Sequence, residues 1–371
     1  MIDIAIIVAF AGLILRGGWA WHINARRNPL SFRRNISSNY SIIVCFHNEE
    51  GYIDNLIPSL LDQTPSPTQI ILVDDGSTDG TSKKLDDYAR KESSIEVVRL
   101  DRGGNGKKRP LSVGIERAKH NLILCTDADC IPASKLWAEM MTAELGISHD
   151  VKLGVSLPKK GRGLLGRFQN FEAERIAHNY IGMAESGHPY MGVGRNIAFT
   201  KSSWKAVGGF QRHSDLESGD DDLFVQDIVK TGFIVGTEVR KEAQCISIWP
   251  DTWRGWMRQM RRHLTTGIRY NTLTISLLSI PLIGDLLLYG GLLLSVLRVK
   301  GNMDFMHSTI WIPIGAVVIN TLVRCIIFRT FLLRVGRPSQ DSFWLLLEPL
   351  MGLLRQVLAI QGMIVKTQKW K

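Results

Sequence analysis

Four short apolar runs constrain this chain more than any other feature: Ser41–Phe46, Gln69–Asp74, Ile95–Leu100 and Asn121–Thr126. They read as strands buried on both faces. Helix patterns near 52–62, 79–91 and 110–119 separate them. Strands of this kind joined by helical crossovers specify a parallel sheet covered on both sides, so residues 39–250 read as an α/β domain. No internal repeat or low-complexity tract interrupts it.

The rest of the chain is different. Apolar residues crowd into 1–15, and again after 271 in the stretches 273–297, 308–328 and 342–365. Counting through Trp21 and Ile23, the first zone reaches about 20 residues, enough for one bilayer crossing. The basic residues (Arg16, Arg26, Arg27, Arg33, Arg34) follow this stretch instead of preceding it, and no small-x-small site is present. That pattern suits an uncleaved anchor over a signal peptide. In the last stretch Glu348 and Arg355 share a helical face beside Pro349, which implies two C-terminal spans plus an amphipathic or re-entrant third helix. The expected layout is an anchor at 1–23, a catalytic domain at 39–248, an interfacial amphipathic helix at 249–267 and a membrane region at 273–365.

Composition fits this division. The 45% hydrophobic and 22% charged fractions exclude disorder. The net charge of +10 comes from basic residues that border the apolar zones, not from a stripe with base-stacking aromatics, which excludes a nucleic-acid binder. Five cysteines without a Cys-x-x-Cys pair argue against a disulfide framework or a structural zinc site. They imply a reducing, cytosol-facing catalytic part.

In an open parallel sheet ligands bind beyond the carboxyl ends of the strands, and acidic residues gather there. Asp74-Asp75-Gly-Ser-Thr-Asp79 closes the second run and Asp127-Ala-Asp129 the fourth. Two aspartates one residue apart in an extended segment suit a hard divalent ion bridging to a diphosphate. A lone Asp-x-Asp is also an ordinary solvated turn, and Asp220-x-Asp222 repeats the pattern; position after a buried strand distinguishes the first. Gly103-Gly-Asn-Gly106-Lys107-Lys108-Arg109 places permissive backbone beside three cations before a helix, which suits phosphate oxygens, although a charged turn reads the same way.

Asp220-Asp221-Asp222 opens a helix pattern at 219–230. Capping accounts for one of the three, and crowding by like charge would raise the pKa of another into the range of a general base. In the segment 249–263, Trp249, Trp253, Trp256 and Met260 recur at helical spacing with arginines mostly elsewhere on the wheel. A helix lying under lipid headgroups explains this, and the arginines suit a diphosphate as well.

In this order the motifs resemble the family 2 glycosyltransferases of GT-A fold, the group of membrane-anchored ceramide glucosyltransferases and polysaccharide synthases; the resemblance covers roughly 39–267. It implies a nucleotide-sugar-binding, Rossmann-like, mostly parallel sheet with N- and C-terminal transmembrane helices. It also implies that Phe46, Asn48, Glu49, Asp75, Lys107 and Asp127 serve the nucleotide, and that Asp127 and Asp129 hold Mg²⁺ or Mn²⁺. Asp221 is expected as catalytic base with Asp220 beside it, Asp222 being the alternative within the triple. The Gln-x-x-Arg-Trp element becomes Gln259-Met-Arg261-Arg262-His263, with histidine in the tryptophan position, and serves the diphosphate or acceptor. Gly192-Val-Gly-Arg195-Asn196, followed by Gly208-Gly-Phe210, loosely resembles an acceptor-side segment.

The expected activity is inverting sugar transfer from a nucleotide-diphosphate sugar, UDP-linked, to a hydroxyl of a lipid or lipid-linked glycan. The expected place is the cytosolic face of a bacterial-type inner membrane. A processive polysaccharide synthase, a polyprenyl-phosphate glycosyltransferase and a catalytically silent membrane scaffold are the alternatives.

Overall fold

The computed structural model describes residues 4–25, 39–101, 106–159, 161, 163–216, 219–299 and 310–364. Arg26, Arg27, Arg33, Arg34, Lys366, Lys369 and Lys371 lie outside these residues, as do Gly103, Gly104 and Asn105 of the glycine-rich segment. The described chain divides into two units, one of residues 4–25 with 270–357 and one of residues 39–269 with 358–364.

In chain order the elements are α1 (Ile4–Ala25), β1 (Tyr40–Phe46), α2 (Glu50–Leu61), β2 (Gln69–Asp75), α3 (Thr81–Lys91), β3 (Ile95–Leu100), α4 (Lys108–Arg117) and β4 (Leu122–Asp127). Next come β5 (Cys130–Pro132), α5 (Trp137–Thr142), β6 (Val151–Gly154), β7 (Ser156–Pro158), α6 (Gly163–Glu185), β8 (Ile197–Thr200) and α7 (Lys201–Ala206). The chain continues through α8 (Asp222–Lys230), β9 (Val235–Glu238), β10 (Cys245–Ser247), α9 (Trp253–Leu264), α10 (Thr272–Val299), α11 (Trp311–Arg334) and α12 (Glu348–Ile364).

Seven strands form the main sheet in the order β3-β2-β1-β4-β8-β6-β9. The first four are mutually parallel, β8 runs antiparallel to both its neighbours, and β9 is parallel to β6. A small second sheet, β5-β10-β7, starts directly after β4. The four apolar runs of the sequence are thus β1 to β4.

Every residue of β1 and β2 is buried, because helices cover both faces. Ile42, Val44, Phe46, Ile70 and Leu72 join Ile53, Leu56, Leu60, Leu85 and Trp137 in one core. Ile43 and Val73 point the other way, toward α4. There Gly114 permits close approach: a Cβ at that position would stand 2.7 Å from Ile43 Cγ2. Each fully buried aliphatic side chain contributes about 1.5–3 kcal/mol, so this core fixes the strand register. Phe46 lies opposite Asp74 and Cys45 opposite Asp127, which sets the acidic strand ends at one level along the edge of the sheet.

In the other unit α1, α10 and α11 contain three segments long and apolar enough to cross a membrane: Ile4–Asn24, Thr272–Leu297 and Trp311–Arg334. Helix α1 packs on α10 through glycine. A Cβ on Gly12 would stand 2.3 Å from Leu288 N, and one on Gly291 2.6 Å from Ala9 N, so the two backbones touch. An ion network joins the helices. Arg16 Nε is 2.9 Å from Asp285 Oδ1, and Arg324 reaches Asp285 at 3.8 Å and Glu348 at 3.3 Å. Arg355 meets Glu348 at 3.0 Å, the pairing that their shared helical face implies.

Candidate active site

The loops after β1 and β2 are sewn together by side chains. Asn48 takes a left-handed backbone conformation (φ 58°). Its Oδ1 accepts from Thr78 N at 2.7 Å, while its own N–H donates to Ser77 Oγ. Glu49 N donates to Thr81 Oγ1, and Glu50 Oε2 accepts from Gly80 N. Asn48 is therefore a loop clamp, its side-chain oxygen engaged by Thr78 of the loop after β2. Phe46 departs from the nucleotide contact expected of it: alternation along β1 turns its ring into the core, fully buried. The buried Asp75 lies at the tip of β2, with Arg109 3.8 Å away.

The three cations before and within α4 go to three separate places. Lys107 follows Gly106, which takes φ 65°, and its ammonium pairs with the Asp127 carboxylate. Lys108 is buried and donates to the carbonyls of His213 (2.6 Å) and Leu216 (2.9 Å). Arg109 donates to Asp101 O at 2.7 Å.

Asp127 ends β4, and Asp129 sits at the junction with β5. Their carboxylates and the Cys130 thiol lie within 4.8 Å of one another. Burial works to raise the Asp127 pKa, but Lys107 and the more distant Arg195 and Arg262 hold it below the ordinary carboxylate value. Asp129 is raised, by burial and by Asp127. Two carboxylates in this state match the donor set of a hard divalent ion, which would relieve their repulsion. Burial and the two aspartates push the Cys130 thiol well up, so it stays protonated and hydrogen-bonded to Asp129 Oδ1 at 3.3 Å.

The three consecutive aspartates divide their work. Asp221 is the N-cap of α8: its Oδ1 accepts from Asp222 N at 2.9 Å and its Oδ2 from Gly194 N at 2.8 Å. Asp222 is the first, buried residue of the helix. Asp220 faces the cluster. Burial and the Asp221 carboxylate push it up to about 6, against the pull of Lys107. Gly194 marks where these groups converge. A Cβ there would lie 3.4 Å from Asp220 Oδ2, 3.6 Å from Asp221 Oδ2 and 3.6 Å from Lys107 Nζ.

Helix α9 belongs to this unit and begins at Trp253, so Trp249 is not on it. Trp249 instead stands in the preceding loop, where Nε1 donates to Ser247 Oγ at 2.9 Å. Trp253 and Trp256 pack against Phe168 of α6, with ring centroids 5.6 and 6.5 Å apart. Arg262 acts electrostatically on Asp127, while desolvation, Arg262 and Arg195 lower the pKa of the His263 imidazole to about 3 and keep it neutral. His263 keeps solvent contact and Arg261 is half-buried. Gln259 Oε1 is buried with no hydrogen-bond partner among the described residues.

Two residues of the segment that loosely resembles an acceptor-side element take part in the site in ways its motif does not specify. Asn196 is completely buried. Its amide donates to Val155 O (2.8 Å) and Ala243 O (2.9 Å) and accepts from Trp137 Nε1 (2.8 Å). Its neighbour Arg195 stacks over Trp249, 5.8 Å from the ring centroid. The sequence signal, an Arg-Asn pair just before a strand, was visible but carried no chemistry by itself.

Residues 41–204 match the family described as Glycosyl transferase family 2. The chain carries a family 2 glycosyltransferase domain. Its relatives include "Probable glycosyltransferase YdaM" of Bacillus subtilis (strain 168), 26% identical over 270 residues, covering 67% of this chain and 60% of the relative. Poly-beta-1,6-N-acetyl-D-glucosamine synthase of Staphylococcus aureus (strain MSSA476) is 26% identical over 231 residues, covering 59% of this chain and 52% of the relative. The chain thus spans between half and two thirds of the length of these relatives. Among solved structures, mannosyltransferase PcManGT from Pyrobaculum calidifontis, in complex with GDP-Man and Mn²⁺, superposes with a TM-score of 0.54 at 15% identity. That match covers 92% of this chain and 99% of the other. The glycosyltransferase domain has the GT-A fold that its motifs imply.

Proposed function

We propose that the protein transfers a sugar from a nucleoside diphosphate sugar to an acceptor hydroxyl, with inversion, at a membrane surface. The observation that carries this reading is the convergence of Asp220, Asp221 and Lys107 at Gly194, with Asp127 paired to Lys107, at the strand ends where a GT-A fold receives its donor. UDP is the favoured nucleotide on motif grounds; the GDP-Man held by PcManGT makes GDP the second one to test.

Asp127 and Asp129 would hold a divalent cation, which when bound neutralises charge on the diphosphate. Asp75 and Glu49 line the nucleotide side. Asp220, not Asp221, is assigned as base. Both oxygens of Asp221 are engaged by backbone N–H groups, whereas Asp220 has a carboxylate poised near neutrality. Asp220 takes the acceptor proton as the acceptor oxygen bonds to the anomeric carbon. The bond to the diphosphate breaks on the opposite face, its electron pair leaves with the nucleoside diphosphate, and the configuration inverts. Lys107 and Arg262 supply positive potential to that departing charge.

The three apolar helices support a lipid or lipid-linked acceptor and a cytosolic catalytic face at a bacterial-type membrane. The synthase among the relatives supports a second reading, processive elongation, which product length separates. The primary test places Asp220→Asn beside Asp221→Asn in a transfer assay with a titration of nucleoside diphosphate. Asp220→Asn is expected to lose about 10²–10⁴-fold in turnover with binding retained. Turnover at the wild-type level in Asp220→Asn refutes the base assignment, and absence of nucleotide binding by the wild type refutes the reading as a whole.

A further inference from the structure

Arg195 is a cation whose backbone is fixed on every side while its head group is left over. The residue before it, Gly194, gives its N–H to Asp221 at 2.8 Å. Its own carbonyl accepts from Thr126 Oγ1 at 3.0 Å, one position before Asp127. The residue after it, Asn196, is the buried three-bond anchor described above. Three consecutive residues are thereby pinned, to the N-cap of α8, to β4, and to Val155, Ala243 and Trp137 of α5, so the side chain leaves the backbone in a preset direction.

The guanidinium leans on the Trp249 ring, and its Nε is buried with no hydrogen-bond partner among the described residues. It lies near enough to Asp127 and Asp129 to act on both, yet forms no ion pair with either among the described residues. Arg195 as a whole is half-buried, so the charge itself still meets solvent, but a buried Nε–H without a partner costs free energy that an anion supplied by something that binds would offset. Planar N–H donors of arginine match phosphate oxygens in pairs.

We propose that Arg195 grips the diphosphate of the donor, holding it against the Asp127–Asp129 pair from the side opposite Lys107, with Trp249 as the platform that keeps the guanidinium in place. The proposal rests on the donor-site reading given above. It adds a residue outside the acidic motifs and α9. It also makes phosphate number, not base identity, the quantity that Arg195 reads.

The test is calorimetric titration of the full-length protein in detergent with Mn²⁺, using UDP and GDP and their monophosphates, on the wild type, Arg195→Met, Arg195→Lys and Trp249→Phe. Arg195→Met is expected to weaken the better-bound diphosphate by about 10-fold or more while the matching monophosphate changes by less than about 2-fold. Arg195→Lys should recover part of the loss, because the charge returns without the fork. An equal loss for diphosphate and monophosphate overturns the proposal in favour of a structural role. Unchanged diphosphate affinity overturns it as well, and if the Michaelis constant for a polyprenyl phosphate acceptor then rises, the anion belongs to the acceptor. Failure of the wild type to bind any nucleoside diphosphate sinks the donor-site reading itself, a result separable from the variant comparison.

Discussion

Gly194 donates its backbone N–H to the Asp221 carboxylate at 2.8 Å, joining the loop before β8 to the start of α8. This one bond sets the distance between Arg195 on one side and Asp220 on the other. It also gives the middle member of the acidic triple a structural task, since each of its two oxygens accepts one backbone N–H.

Gly194→Ala tests the space between these groups. The added methyl makes ordinary contacts at 3.4–3.6 Å with Asp220, Asp221 and Lys107, so the fold is expected to survive with an unchanged melting temperature. The methyl also occupies the gap into which an acceptor oxygen must come. Turnover should fall by about 10- to 100-fold, read from initial rates at saturating donor. An alanine variant with full activity would place the acceptor elsewhere.

Asp220 should cost stability for the sake of its function. Its folded-state pKa of about 6 lies above the ordinary carboxylate value of 3.8, so the folded chain holds the proton more tightly than the unfolded one. The contribution of this group to stability is fully present below the unfolded value and is lost as pH rises through about 6. Asp220→Asn, inactive, is therefore expected to melt higher than wild type at pH 8, with the gap shrinking below pH 6. Melting curves in detergent across pH 5–8 give the answer, and a lower melting temperature for the variant at pH 8 contradicts the assignment.

Asp129→Ala should remove the metal requirement together with the activity. EDTA is expected to abolish transfer by the wild type reversibly, with Mn²⁺ or Mg²⁺ restoring it. The variant should stay at least about 10²-fold slower at any metal concentration. Wild-type transfer that persists in EDTA would show that the carboxylates serve some other purpose.

Asn196→Ala addresses the scaffold. It strips partners from Val155 O, Ala243 O and Trp137 Nε1 inside a site with no water access. The expected cost is about 3 kcal/mol or more, seen as a lowered melting temperature or poor recovery of folded protein. A variant as stable as wild type would mean that these groups find other partners.

Much of this was legible in the residues. The four runs became β1 to β4 within one or two positions, because burial on both faces leaves little room for a different register. The acidic strand ends met because neighbouring parallel strands stop at one level. What the residues left open was assignment within a cluster. Sequence reading said that one of Asp220, Asp221 and Asp222 caps a helix, but the choice depends on where α8 begins, which the loop from Gly194 decides. Trp249 matched the helical spacing of Trp253 and Trp256 and yet sits outside α9, since periodicity does not locate a helix start. Phe46 was assigned to the nucleotide by motif, whereas strand alternation turns its ring into the core; the loop-clamping bond of Asn48 depends on a partner loop that the motif does not describe. Arg195 and Asn196 fell in a segment that only loosely resembled an acceptor-side motif; what they touch, Trp249 for the one and Trp137, Val155 and Ala243 for the other, is distant in sequence or in separate elements.

The ion network of α1 has a consequence for how the chain is made. Arg16 leaves the ribosome 269 residues ahead of Asp285, its partner at 2.9 Å. At ordinary rates of synthesis that is an interval on the order of tens of seconds. During that interval Arg16 is without the Asp285 carboxylate, while residues 39–269 are synthesised. Only when α10, α11 and the start of α12 arrive do Asp285 and Glu348 complete the circuit. The Arg16–Asp285 pair therefore closes only after the intervening chain has been made, and a chain cut short before α10 lacks the carboxylate that Arg16 pairs with here.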